Sequence, residues 1–223
     1  ILRKEIPDAQ GKRVLETGSG TGLASLELAR RGADVFPLDL SPQAIGFSRA
    51  AFEKAGAAHH GVQADILSLP FDEDSFDVTW SGGVIEHFEQ DDQIKILVEM
   101  LRVTRPGGKV IVIAPSAEAR IYMHGKRHAD RHRRWQPGYE VPISSLKGLA
   151  DSVPGKLVRE YRTGLMAELH FLKYYFGRSR PLRLAWCGVV EVLSRILFPL
   201  NSLPGYLLVS IWEPLGESSG RSD

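Results

Sequence analysis

Over the first half of the chain, short apolar runs alternate with longer stretches of helical periodicity. Val14 and Leu15, within Lys12–Thr17, run straight into a glycine-rich turn, which predicts a buried strand. Thr21–Arg31 spaces Leu23, Leu26 and Leu28 among helix formers and stops at Gly32. Asp34–Leu40 predicts a second strand. Ser41-Pro42 then supplies a cap and a first-turn proline, opening a helix to about Ala55. Gly61–Ala64 predicts a short third strand and Phe76–Ser81 a fourth, followed by a helix carrying Ile94, Leu97, Met100 and Leu101. Pro106-Gly107-Gly108 predicts a tight turn into Lys109–Ala114, a β-branched fifth strand.

Strands that alternate with helices imply right-handed crossovers and a parallel sheet covered on both faces. Ligands of such sheets bind beyond the carboxyl ends of the strands, at the point where strand order reverses. The chemistry-bearing residues fall at those ends. Composition narrows the picture. The chain has 223 residues with 28 Lys+Arg against 27 Asp+Glu, a net charge of +1 that does not suggest a general nucleic-acid binder. A single cysteine, Cys187, excludes an intrachain disulfide and a multi-cysteine zinc site. The sequence begins at Ile1 without a leader pattern, and the expected location is cytoplasmic.

The first strand runs into Glu16-Thr17-Gly18-Ser19-Gly20-Thr21-Gly22. The spacing is G-x-G-x-G, not the G-x-G-x-x-G of dinucleotide sites. Glu16, before the first glycine, is poorly placed beside a pyrophosphate but suits a ligand bearing an ammonium and a sulfonium. Asp39 ends the second strand, where an acidic residue accepts hydrogen bonds from both ribose hydroxyls. Asp65 follows the third strand, placed to accept an adenine amino group, with the Ile66 N–H beside it. Ser81, Gly82 and Gly83 end the fourth strand next to the ligand's amino-acid end. Asp39 and Asp65 each also fit a cap of the helix or turn that follows.

Over roughly Gly11–Pro115 the chain resembles the class I S-adenosylmethionine-dependent methyltransferases, especially their quinone- and small-molecule-methylating group. Five segments carry the resemblance: Val14–Gly22, Asp39-Leu40-Ser41, Ala64-Asp65-Ile66, Phe76-Asp77-Val78 through Ile85-Glu86-His87, and Leu101–Gly108. The resemblance implies S-adenosylmethionine as cofactor and S-adenosylhomocysteine as product. Glu16, Gly18, Ser19, Gly20, Gly22 and Ser81 would hold the methionine portion, Asp39 the ribose, Leu40 and Ile66 the adenine faces, and Asp65 the adenine amino group. It also implies a single α/β domain over 1–223, with a Rossmann-like seven-stranded, mostly parallel sheet whose last strand is antiparallel. The core would span 11–115.

Lys156–Thr163 and Tyr206–Trp212 are the expected sixth and seventh strands, preceded by a helix from about Ser144 to Asp151. That leaves insertions at about 116–139 and 165–203, the latter a helical insertion between strands six and seven. The first holds Arg120, Lys126, Arg127, Arg131, Arg133 and Arg134 and is expected as a solvated basic loop, with a patch for a carboxylate, a phosphate or a lipid head group as its functional counterpart. His124, His128 and His132 recur every four residues, but no carboxylate or thiol pattern completes a metal site, so none is expected. Leu182–Leu200 is broadly apolar, with Arg183, Glu191 and Arg195 too close-set for a membrane span. It reads as a helix capping an apolar pocket, with peripheral lipid or membrane contact through 178–200 as the alternative.

The expected function is methyl transfer to a small-molecule acceptor, with a lipophilic or aromatic hydroxyl in view. Its alternative is a non-catalytic S-adenosylmethionine-binding regulatory or assembly protein. Orientation alone supplies much of such catalysis. A hydroxyl acceptor also gains from a general base, for which His87 is best placed, ahead of His60 and Tyr122.

Overall fold

The computed structural model describes residues 1–135 and 139–216. Its centre is a seven-stranded sheet of order β3-β2-β1-β4-β5-β7-β6. The strands are β1 (Arg13–Thr17), β2 (Asp34–Asp39), β3 (Val62–Gln63), β4 (Phe76–Gly82), β5 (Thr104–Pro115), β6 (Gly155–Thr163) and β7 (Leu207–Pro214). The first five are parallel, and β7 inserts antiparallel between β5 and β6. The order reverses between β1 and β4, so their carboxyl ends open the crevice where ligands of such sheets bind.

Period-two patterning divides the core between the two faces. Val110, Val112 and Ala114 of β5 pack with Leu208 and Trp212 of β7 on one side, against Ile96, Leu97, Met100 and Leu101. Those four residues come from the helix Gln90–Val103. Ile111, Ile113, Val209 and Ile211 face the other side, with Val14, Leu26, Leu28 and Phe52. The covering helices are α1 (Leu2–Glu5), α2 (Leu23–Ala29), α3 (Pro42–Ala55) and α4 (Gln90–Val103). The Ser41 hydroxyl accepts the Ala44 N–H at 3.3 Å, and Gly56 ends α3 at φ 65°. The helix therefore starts and stops where its sequence dictates.

Three expectations need correction. The strand expected to start at Lys109 begins at Thr104, and its register against β4 jumps between Phe76↔Thr104 and Val78↔Lys109, looping Pro106–Gly108 out of the ladder. The helix expected at 144–151 is a 3-10 segment, Lys147–Ser152. The basic segment expected as a loop is helical, α5 (Arg120–Arg131), and buries Tyr122, Gly125 and Ala129. A Cβ on Gly125 would stand 2.8 Å from the Phe171 carbonyl oxygen, so a missing side chain lets α5 seat on its neighbour.

That neighbour is the 3-10 segment Leu169–Phe176, which follows α6 (Leu165–Glu168) and precedes α7 (Arg180–Ile196). Together with α5 these form the cap. The expected apolar helix is present, yet only Val190 of α7 is buried, while Leu182, Val189, Val192 and Ile196 are exposed. Among the described residues no helix is long and apolar enough to cross a membrane.

The cap rejoins the sheet through Gly205, where a Cβ would lie 2.3 Å from the Leu165 nitrogen and 2.6 Å from the Gly164 carbonyl carbon. Gly205→Ala should therefore destabilise the fold by roughly 1–3 kcal/mol, read as a lower midpoint in urea. An unchanged midpoint would show that the junction relaxes freely.

Candidate functional site

At the end of β1 the chain must turn within a few residues from strand to helix. Gly18, Gly20 and Gly22 all take left-handed φ values, 69°, 52° and 66°. A Cβ on Gly18 would stand 2.4 Å from Val84 Cγ2, and one on Gly22 would stand 2.6 Å from Ser48 Cβ. Gly20 meets nothing, so only its backbone conformation requires glycine. The turn is braced from β2. The Ser19 N–H donates to the Leu38 carbonyl at 2.9 Å, and the Gly20 N–H donates to Asp39 Oδ2 at 2.8 Å. Asp39 Oδ1 accepts the Ser41 N–H at 2.9 Å, so one carboxylate ties the glycine turn to the start of α3.

Beside this turn lies a cavity of about 270 Å³. Of the residues singled out from sequence, Gly18, Asp39, Leu40, Asp65, Ile66 and His87 line it, while Glu16, Ser19, Gly20, Gly22 and Ser81 do not. The remaining lining comes from Ala64 and Gly83, which stand in the quoted motifs, and from Leu38, Val84 and Phe88, to which no motif assigns a role. Asp65 is exposed, and its Oδ1 accepts the Leu67 N–H at 2.9 Å, leaving the second carboxylate oxygen free of that turn. Leu40 is also exposed, whereas Leu38 and Ile66 are buried apolar walls. A slot with apolar walls and carboxylates on its rim suits a flat heterocycle carrying hydroxyl and amino donors.

A second group of polar atoms sits deeper, on the central strands. Glu16 is 5% exposed, Ser19 7% and Ser81 1%, and Glu16 Oε2, Ser19 Oγ and Ser81 Oγ have no hydrogen-bond partner. Thr17 and Ser81 are register partners across β1 and β4, so Glu16 and Ser81 belong to adjacent strand ends. Burial pushes the Glu16 carboxyl from its ordinary 4.5 up to about 8, with the Asp39 charge adding to the rise. Buried polar groups are rarely left unpaired, and these three, on the ends of β1 and β4 and in the glycine turn, mark where a ligand's polar groups would be satisfied.

Past β4 stands a third group. Glu86, also buried, has an unpartnered Oε2, and its Oε1 lies 3.7 Å from where a Gly83 Cβ would be. Burial pushes its carboxyl up to about 7, opposed in part by His87. His87 is exposed, and its Nδ1 lies 2.5 Å from the Tyr139 carbonyl oxygen. A carbonyl can only accept, so Nδ1 carries the proton of this hydrogen bond. Tyr122 is fully buried and donates its hydroxyl to Glu140, and burial raises its phenol. His60 pairs with Asp34 at 3.1 Å, at the amino end of β2 and away from the cavity. Glu86 stands within the Ile85-Glu86-His87 segment that carries the resemblance, shortly after β4. Nothing local marks Val84 as a wall of the cavity.

The histidines of the basic segment stack rather than ligate. The rings of His124 and His128 lie 5.8 and 4.1 Å from that of Tyr175, and those of His128 and His132 are 4.5 Å apart. Among the described residues no group of three metal-ligating side chains converges.

Residues 15–112 match the family model described as methyltransferase domain. The chain is 29% identical to malonyl-[acyl-carrier protein] O-methyltransferase of Serratia marcescens, over 69% of this chain and 57% of that protein. It is 36% identical to demethylmenaquinone methyltransferase of Clavibacter sepedonicus, over 49% of this chain and 43% of that protein. The chain thus spans about half the length of the curated relatives it matches. Among solved structures, geranyl diphosphate C-methyltransferase from Streptomyces coelicolor A3(2), bound to Mg2+, geranyl-S-thiolodiphosphate and S-adenosyl-L-homocysteine, superposes with a TM-score of 0.63. That pair shares 13% identity over 95% of this chain and 74% of the other, a likeness of fold.

Glu16 gives this site a pH signature. Its carboxyl is raised on folding, so the stability it contributes while protonated is lost as pH climbs from 4.5 towards 8. Glu16→Gln should match the parent protein near pH 4.5 and exceed it by roughly 1–3 kcal/mol above pH 8 in denaturant titrations. A constant difference across that window would mean that Glu16 ionises normally in the fold.

Proposed function

Starting from a chain that carries a class I methyltransferase domain, we propose that it binds S-adenosylmethionine and transfers the methyl group to a small-molecule acceptor. The observation that carries this proposal is Glu16, a buried carboxylate whose free oxygen calls for a cation. Glu16 would take the ligand's ammonium, with Ser19 and Ser81 completing the hydrogen bonds of its amino-acid end. Asp39 would accept from the ribose hydroxyls, since each of its oxygens retains a lone pair beyond the backbone N–H it already accepts. Leu38, Leu40 and Ile66 would flank the adenine and Asp65 accept its amino group, all from the same 270 Å³ cavity. The G-x-G-x-G spacing disfavours a dinucleotide's pyrophosphate.

When bound, the sulfonium supplies an electrophilic methyl group. The chain's own task is then to orient an acceptor and hold its proton. Gly82 and Gly83 leave the rim of the crevice without side chains. In the cap, Tyr122 is buried against Phe171, Tyr206 and Trp135, with ring centroids 4.7, 5.0 and 6.1 Å away, an aromatic cluster that holds α5 in place. His87, its Nδ1 proton fixed by the Tyr139 carbonyl, would receive an acceptor hydroxyl's proton at Nε2, and the nearby Glu86 carboxylate would stabilise the imidazolium so formed.

Titration with S-adenosylhomocysteine tests the binding half. Asp39→Ala should weaken affinity about 10- to 100-fold, in keeping with lost hydrogen bonds to a charged acceptor. An unchanged constant in the folded variant would remove the ribose assignment. Turnover tests the other half. His87→Ala should lower kcat on an identified acceptor by about 100-fold or more while leaving S-adenosylhomocysteine affinity intact. Full turnover would leave His87 a packing residue and orientation as the main source of rate.

A further inference from the structure

Four cations converge on a cleft of about 290 Å³ in the cap, well apart in the chain from the residues that line the cofactor cavity. Arg134 follows α5, Lys173 belongs to the 3-10 segment, and Arg180 and Arg183 come from the first turn of α7. No carboxylate lines the cleft, and among the described residues none of the four has an acidic partner within 4.0 Å. The acid of α7, Glu191, is already engaged by Arg195 at 3.1 Å. Arg134, Lys173 and Arg183 are half-buried, so water screens their mutual repulsion incompletely. Among the described residues they find a polar or ring partner only in Tyr174, whose carbonyl lies 3.4 Å from Arg134 Nη1 and whose ring centroid lies 5.3 Å from Lys173 Nζ. Three elements that bring like charges together without a counter-charge make a poor structural device and a good receptor for an anion.

We infer that this cleft binds a phosphate group. Three guanidinium forks offer paired N–H donors to tetrahedral oxygens, and Lys173 adds a point charge. Leu184 and Cys187 give the cleft one apolar wall, against which the remainder of a phosphate ester can lie. Such a group comes either from a soluble phosphate ester or from a lipid headgroup. The exposed Leu182, Val189, Val192 and Ile196 on another face of α7 bring the second source into the test.

The probes are inorganic phosphate, and vesicles of phosphatidylcholine with and without phosphatidic acid, offered to the full chain and to Lys173→Gln/Arg183→Gln. At matched ionic strength, phosphate should raise the melting temperature of the parent protein above that in chloride, and the double variant should lose that increment. Without phosphate, the variant should melt no lower than the parent, because repulsion has been relieved, whereas residues that merely held the fold together would lower it. The exposed Arg180→Gln, the variant least able to disturb packing, should weaken phosphate at least threefold. Vesicle binding that needs phosphatidic acid and fails in the double variant assigns the phosphate to lipid. A phosphate effect without vesicle binding assigns it to a soluble ester. Equal phosphate effects in parent and variants, or neither phosphate nor vesicle binding, overturn the site. S-adenosylhomocysteine affinity, measured alongside, should be the same in all three proteins.

Discussion

At the carboxyl end of β1, Glu16 places a carboxyl group where water hardly reaches it and no protein cation answers it. Charging such a group costs several kcal/mol, so the fold holds it largely protonated at neutral pH and stores a preference for a cationic visitor. Much of the surrounding structure keeps that arrangement in place. β1 is central, with β2 and β4 as neighbours, and the order reversal opens the crevice beside it. The glycine turn lowers the chain into α2 without a side chain in the way. Asp39 fastens that turn to β2 and α3 through two backbone N–H groups.

The sheet half of this arrangement was legible because each of its signals is local. Val14-Leu15 before glycines, Ser41-Pro42 before a helix and the β-branched run from Val110 are written within a few residues, and packing only reinforces them. The interleaving of β7 between β5 and β6 followed from the resemblance rather than from periodicity. Asp39 and Asp65 were read as either ligand groups or caps. Their carboxylates do accept backbone N–H groups, at Gly20 and Ser41 and at Leu67, while also lining the cavity. The two readings are compatible, because a carboxylate has more acceptor positions than one turn uses.

The cap was less legible, for physical reasons. α5 hides its helical character because its buried face is Tyr122, Gly125 and Ala129, one aromatic and two small positions that make no aliphatic stripe. α7 shows an apolar stripe that packing leaves largely uncovered. The cation cleft draws on residues tens of positions apart, and no spacing rule connects Arg134 to Lys173 and Arg183. Val84 over Gly18 is likewise a contact between distant strand ends. The molecule thus gathers unpartnered carboxyls at the sheet's crevice and a separate group of cations in the cap.

The central claim is that Glu16 awaits a positive charge, and calorimetry in buffers of different ionisation enthalpy tests it most directly. A carboxyl raised to about 8 is mostly protonated at pH 7 and must ionise to receive an ammonium. Titration of the parent protein with S-adenosylhomocysteine at pH 7 should therefore release most of one proton per ligand, and Glu16→Gln should abolish that release along with most of the affinity. Binding without proton release in the parent protein, or undiminished affinity in the variant, would contradict the account.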